Sequence, residues 1–354
     1  MKALKEEVIT LLQKLITIES FSKTEDKTAD AILSFLQSKG VKANRMLNNV
    51  WAPNKHYDKN KPTVLLNSHH DTVKPNAHYT RNPFEPTIED GKLFGLGSND
   101  AGGPLVTLLA SFLYFYNKPD LNFNLVYAAT AEEEISGKNG VEILLPELGQ
   151  IYFGIVGEPT KMDIAIAEKG LLVIDCVVNG IAGHAAREEG ENAIYKALKD
   201  IEWFRTFEFP KKSETLGPVK MTVTIINAGT QHNIVPATCN FTVDIRTTDM
   251  YPNQDVLEII SQNVSCQINP RSTRLNSSSV SKDHPLLKAG ISLGCKLYGS
   301  PTTSDQALMK FSTFKMGPGD SARSHTADEF IYIHEIEQGI ERYIQLLNNF
   351  NASL

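Results

Sequence analysis

Three apolar runs constrain this chain more than any other feature: residues 63–67 (TVLLN), 123–130 (FNLVYAAT) and 152–157 (YFGIVG). Each has the length of a buried strand, and each is followed closely by ionisable residues. His69 to Asp71 follow the first, Glu132 to Glu134 the second, and Glu158 the third. Segments of helical character, residues 103–116 and 140–148, lie between the runs. Strands alternating with helices imply a layered α/β sheet, in which ligands bind beyond the carboxyl ends of the strands. The ionisable residues stand at those ends.

At 354 residues the chain exceeds the usual size of one domain. From about Ala167 its character changes to strand-like runs at 171–178, 220–226 and 240–247, with helical stretches at 192–204 and 255–264. That order implies a small α+β sandwich, one sheet covered by two helices. A Ser-rich stretch at 276–281 marks the return to the first domain, completed by helices, one spanning 284–297, and by a strand at 313–316. The expected division is a discontinuous catalytic domain, 1–167 with 277–354, and an inserted domain, 168–276.

Composition excludes several classes. Net charge is −6 without a Lys/Arg stripe, so nucleic acid is not expected as a partner. Leu4, Val8, Leu11, Leu12 and Leu15 fall at helical spacing, and Glu6, Glu7, Lys14 and Glu19 interrupt any leader-like run. No stretch is apolar enough to cross a bilayer. Cys176, Cys239, Cys266 and Cys295 form no CxxC pair, which fits reduced thiols in a cytoplasmic protein.

The chemistry resides in carboxylates and imidazoles. His69 and Asp71, two apart at a strand end, face the same side, so one is placed to bind metal and the other to orient it. Asp100 sits in GLGSNDAGG (95–103), where small residues let the backbone turn tightly around a carboxylate suited to bridging two cations. The triplet Glu132, Glu133 and Glu134 is costly unless cations or protons offset its repulsion. Glu158 and His325 complete a set with no thiolate, which suits catalytic zinc and tolerates cobalt or manganese.

The motifs HisHisAsp at 69–71, GLGSNDAGG at 95–103, TAEEE at 130–134, GEPT at 157–160 and SHTADE at 324–329 resemble, in order, those of the acetylornithine deacetylase and succinyl-diaminopimelate desuccinylase family. That family also contains zinc carboxypeptidases and aminoacylases. The resemblance implies a zinc-exopeptidase-like catalytic domain, a mixed sheet flanked by helices, carrying a ferredoxin-like lid and dimerisation domain. It implies two zinc ions, one on His69 and Glu158, the other on Glu134 and His325, with Asp100 bridging. Asp71 then fixes the ring of His69, Glu133 is the general base, and the Asp100–Ala101 peptide is cis. Segments 180–186 (GIAGHAA), 190–193, 233–236 and 244–246 resemble lid motifs. They imply His184 as oxyanion donor, Arg246 with Asn233 for a substrate α-carboxylate, and a homodimer. The implied substrate is an N-acyl amino acid, N-acetyl-L-ornithine foremost, with N-succinyl-L-ornithine or N-acetyl-L-citrulline beside it, in cytoplasmic arginine biosynthesis; succinyl-diaminopimelate desuccinylation and zinc dipeptidase or carboxypeptidase activity are the alternatives. Two departures stand out: Gly102-Gly103 replaces the customary Lys-Gly, and the lid motif lacks its usual proline.

Blander readings compete with these. Each histidine taken singly is more often structural, the Glu triplet is more often a solvated loop with Glu132 its most solvated member, and Arg246 has Asp244 and Asp249 as local partners. His70 points to the opposite strand face and stays out of the site. Residues 290–294 (GISLG) match a nucleophile elbow, but no strand leads into Ser292. Residues 95–97 begin like a dinucleotide loop, yet Asp100 would repel pyrophosphate. A metal-dependent binding protein is the non-enzyme alternative, and a base beside a ligand argues against it.

Overall fold

All seven residues of the strand Thr63–His69 are buried, and their alternation serves two separate cores. Val64 and Leu66 join Leu125, Tyr127, Phe153 and Ile155, whereas Leu65 joins Val126, Ala128 and Val156 on the opposite face. Both faces are covered, which is why the run shows no polar alternation. Helices Lys2–Ile16, Asp26–Ser38, Gly103–Phe115 and Ile333–Ser353 build the first core. The second is closed by the turn of helix Val141–Leu144 and the 3-10 segment Leu145–Leu148. A single helix over 140–148 is not formed, because Pro146 has no N–H to continue the ladder.

This computed structural model describes all 354 residues and divides into two units. The first comprises Met1–Ile166, Val280–Tyr298 and Ser304–Leu354. Its sheet is mixed: Asn124–Thr130, Thr63–His69, Phe153–Val156 and Thr313–Lys315 run parallel in that spatial order. Asn49–Pro53 joins antiparallel on one side, and Ile164–Glu168 on the other. The helix Gly103–Phe115 is buried along most of its length, and Thr107 and Ser111 satisfy their hydroxyls on carbonyls one turn back, at 2.7 and 2.9 Å. Registry aligns His69 with Thr130, so the first strand and the loop carrying the Glu triplet end level.

The second unit, Ala167–Ser279 with Gly299–Thr303, holds a four-stranded antiparallel sheet. Its order is Lys220–Ala228, Thr238–Thr247, Gly170–Asn179, Gln267–Pro270. Helices Ala193–Thr206 and Asn253–Ser261 cover one face, on which Leu172, Ile174, Cys176 and Val178 alternate inward. Residues 299–303 were not foreseen in this unit. They enter it because Lys169 N–H donates to the Ser300 carbonyl and Thr303 Oγ1 to the Lys169 carbonyl.

The expected helix over 284–297 stops at Ser292. Gly294 adopts φ +81°, and Cys295 N–H reaches back to the Gly290 carbonyl, a left-handed helix stop that leaves Leu297–Ser300 free to be a strand. Ser292 therefore lies at a helix end, with its hydroxyl on the Ala289 carbonyl, and is no nucleophile elbow. No helix is long and apolar enough to cross a membrane.

Candidate metal centre

Four segments at the carboxyl ends of the parallel strands converge on Asp100. His69 closes the first strand, and its Nδ1 donates to the Asp71 carbonyl at 3.0 Å. Nε2 then carries the lone pair, yet it faces Asp100 Oδ1 at 3.3 Å and Glu133 Oε2 and Glu158 Oε1 each at 3.9 Å. On the other side of Asp100, His325 Nε2 lies 3.7 Å from Oδ2 and 3.0 Å from Glu134 Oε2. Potential ligand atoms of His69, Asp100 and Glu134, and again of His69, Glu133 and Glu158, fall within 4.8 Å of one another. A lone pair surrounded by carboxylate oxygens requires a cation or a proton between them, so the donor set fits divalent metal.

The electrostatics point the same way. Burial, augmented by Glu158, Asp305 and Glu134, raises the Glu133 carboxyl well above the ordinary range despite His69. Burial likewise raises Glu134 and lifts Glu158 to about 8. Burial works against a charged His69, but Glu133, Asp100, Asp71 and Glu158 overcome it and hold the ring's pKa well above normal. The hydrogen bond to Glu134 raises His325 to about 9. Carboxylates that hold protons and imidazoles that hold charge describe a cluster short of positive charge.

Local structure explains the aim of each group. The Asp100–Ala101 peptide is cis, inside the irregular turn Ser98–Gly102. A Cβ on Gly102 would lie 2.4 Å from the Gly97 carbonyl and 2.5 Å from Leu12 Cδ1, which accounts for the missing lysine. Asp71, fully buried, does more than flank His69: its carboxylate accepts from Ser22 Oγ and from the backbone N–H groups of Glu133 and Glu134 at 2.7, 3.0 and 3.2 Å. It thereby seats the acidic turn. The reading of Glu132 as solvated is corrected. That residue is buried with φ +56°, its N–H on Glu25 and its carboxylate on the N–H and side chain of Asn139. His70 faces away, bonded to Thr28 Oγ1 and the Asn48 carbonyl, and burial lowers it to about 4.

Two buried carboxylates escaped sequence reasoning. Asp305 Oδ2 accepts from Asn67 Nδ2 at 2.9 Å and Thr130 Oγ1 at 2.7 Å, tying together the strands that carry His69 and the Glu triplet. The strand that precedes Asp305, Leu297–Ser300, begins where a helix was expected, so no sequence signal marked it. Glu329 accepts three backbone N–H groups of the Asp100 turn, and its place in the SHTADE motif was the available signal.

The remaining candidates belong to the second unit. His184 is exposed, and its Nδ1 accepts from Ala186 N–H at 3.1 Å. The carbonyl of Asn233 accepts from Ala185 N–H. Arg246 engages Asp244 through Nε and Nη2 at 2.8 and 3.0 Å, so of the two local partners weighed for it the structure selects Asp244.

Residues 65–349 match the description "Peptidase family M20/M25/M40". A succinyl-diaminopimelate desuccinylase 2 of Ruegeria sp. (strain TM1040) is 26% identical over 275 residues, 72% of this chain and 68% of that protein. An M20 family metallo-carboxypeptidase from Sulfolobus solfataricus has the same fold, with TM-score 0.78 and 18% identity over 98% of this chain and 99% of the other. A dinuclear metal binding peptidase of the M20 family from Bacillus subtilis gives TM-score 0.72 and 15% identity, covering 98% of both chains. With the family description spanning most of the sequence and the ionisable residues gathered at the sheet's carboxyl edge, this chain is a metallo-hydrolase that belongs to peptidase family M20/M25/M40.

Proposed function

We propose that this chain uses two divalent metal ions to hydrolyse the amide bond of an N-acyl-L-amino acid. N-acetyl-L-ornithine is the leading substrate, with N-succinyl-L-ornithine and N-acetyl-L-citrulline its near analogues, in cytoplasmic arginine biosynthesis. One observation carries the two-metal reading: Asp100 presents Oδ1 to His69 and Oδ2 to His325, at 3.3 and 3.7 Å. His69 and Glu158 would hold one ion, Glu134 and His325 the other, and Asp100 both. Zinc is the first choice for such a donor set, with cobalt or manganese as substitutes.

Ions of this kind lower the pKa of water from about 15.7 to roughly 7 and polarise a carbonyl oxygen. Glu133 takes a proton from the attacking water as the new C–O bond forms at the acyl carbon. The C–N bond then breaks, and Glu133 returns that proton to the departing amine nitrogen. Asp71 keeps Glu133 and Glu134 in place through their N–H groups. For His184, the bond accepted at Nδ1 places the ring proton on Nε2, the tautomer an oxyanion donor needs. Arg246, which holds Asp244 through Nε and Nη2, meets the α-carboxylate through its remaining N–H donors, and Asn233 assists.

A homodimer is part of this reading. Lys220–Ala228 is an edge strand, and Ile225 and Ile226 on it are 50% and 52% exposed. Tyr195 and Leu198 of the adjoining helix are also exposed. A long apolar edge is a template for pairing, which supports association with a second copy.

The name of the Ruegeria relative favours a second reading, hydrolysis of succinyl-diaminopimelate. The test is a zinc-loaded assay over N-acetyl and N-succinyl amino acids, succinyl-diaminopimelate and dipeptides, ranked by kcat/KM. The expected leader is N-acetyl-L-ornithine. Preference for succinyl-diaminopimelate moves the assignment to the second reading, and preference for dipeptides refutes N-acyl deacylation.

A further inference from the structure

Glu329 is almost completely buried, at 2% exposure. Its Oε1 accepts from the N–H groups of Asn99 and Asp100 at 2.8 and 2.9 Å, and its Oε2 from Gly97 N–H at 3.1 Å. Its backbone carbonyl takes Gly95 N–H at 3.0 Å. Four contacts thus fasten the turn 95–100 to one residue, and a carboxylate is retained in such a place only where donors repay its desolvation. The turn is rich in glycine, and Gly97 adopts φ +74°; of its own side chains Asn99 ties it to the backbone of Asp320, while the N–H groups of Gly97, Asn99 and Asp100 depend on Glu329. Glu329 also lies four residues after His325, on the segment that presents that imidazole to Asp100. One residue therefore joins the turn that carries Asp100 to the segment that carries His325.

We infer that Glu329 is a positioning residue for Asp100, and that it governs how tightly the metal pair is held. The inference rests on the two-metal reading above. Glu329→Gln keeps the size and one acceptor oxygen but turns an NH2 group toward a peptide N–H. Groups that orient metal ligands typically cost roughly 10 to 100-fold in affinity when changed, and that loss is expected here.

The full-length wild type, Glu329→Gln and Asp328→Asn are stripped of metal and titrated with Zn2+ against a chromophoric chelator. Thermal melts are recorded with and without metal. Asp328 is the matched control: its carboxylate pins the N–H groups of Thr80 and Arg81, outside the Asp100 turn. Glu329→Gln is expected to bind Zn2+ roughly 10 to 100-fold more weakly, with KM unchanged at saturating metal. Its metal-bound melting point falls relative to wild type by more than its metal-free one does. Asp328→Asn keeps wild-type affinity. Wild-type affinity in Glu329→Gln, an equal loss in Asp328→Asn, or an equal fall of both melting points overturns the inference. If Glu329→Gln does not fold, Glu329→Asp, which retains the charge but withdraws the oxygens by one methylene, carries the same expectations. A wild type that binds no divalent ion refutes the two-metal reading and this inference with it, an outcome distinct from the variant results.

Discussion

Replacing Glu158 with Gln is expected to stabilise the metal-free protein and to weaken the metal-loaded one. Burial, together with Asp100 and Glu134, lifts this carboxyl from 4.5 to about 8 even though His69 and Lys315 pull it down. Between those values the folded state retains a proton that the unfolded chain has released, so stability falls as pH climbs from 4.5 towards 8. Neutral pH lies about 2.5 pH units above the unfolded value, and each unit is worth about 1.4 kcal/mol, so keeping Glu158 buried costs about 3 kcal/mol at pH 7. Gln carries no such cost. For a domain of this size 1 kcal/mol moves the melting point by roughly 2–4 °C, so metal-free Glu158→Gln should melt about 6–12 °C higher at pH 7. Near pH 4.5 the two proteins should melt alike. Excess Zn2+ should reverse the order, because wild type gains a ligand that the variant lacks. The assay is a calorimetric pH series with chelator and then with zinc. A metal-free variant that melts below wild type at pH 7, or a gap that ignores pH, refutes the argument.

Three further outcomes are expected. Glu133→Gln should lower kcat by about 10² to 10⁴-fold while elemental analysis still finds both metal ions, and normal turnover would remove Glu133 from the chemistry. Gly102→Ala should cost about 1–3 kcal/mol in urea unfolding and weaken metal binding, because the new methyl meets the Gly97 carbonyl and Leu12. Wild-type stability there would show that the turn yields freely. Ile226→Glu on the exposed edge strand should turn a dimer into a monomer by sedimentation, and a wild type already monomeric would refute pairing through that edge.

Periodicity read well wherever burial follows from neighbours in sequence. The runs at 63–67 and 123–130 are strands, and 103–116 is a helix, each within a residue or two of its expected bounds. The helix stops after Ser292 because Gly294 turns left-handed; the glycine was the available signal, but glycine also tolerates helical φ, so the residue by itself did not fix the stop. Glu132 read as the solvated member of its triplet, but Glu25 and Asn139 bury it from more distant segments. Arg246 had two acidic neighbours, and only the strand geometry selects Asp244.

The amino-acid order alone determined which groups stand at strand ends, because alternation and helical spacing are local consequences of the backbone. Through its motifs it also marked the family. Tertiary structure decided what those groups do to one another. Asp100 faces His69 and His325 from opposite sides, Glu329, more than two hundred residues away, grips its turn, and Asp305 ties Asn67 to Thr130 from a similar distance. Such contacts depend on chain closure over long separations, and no local pattern encodes them.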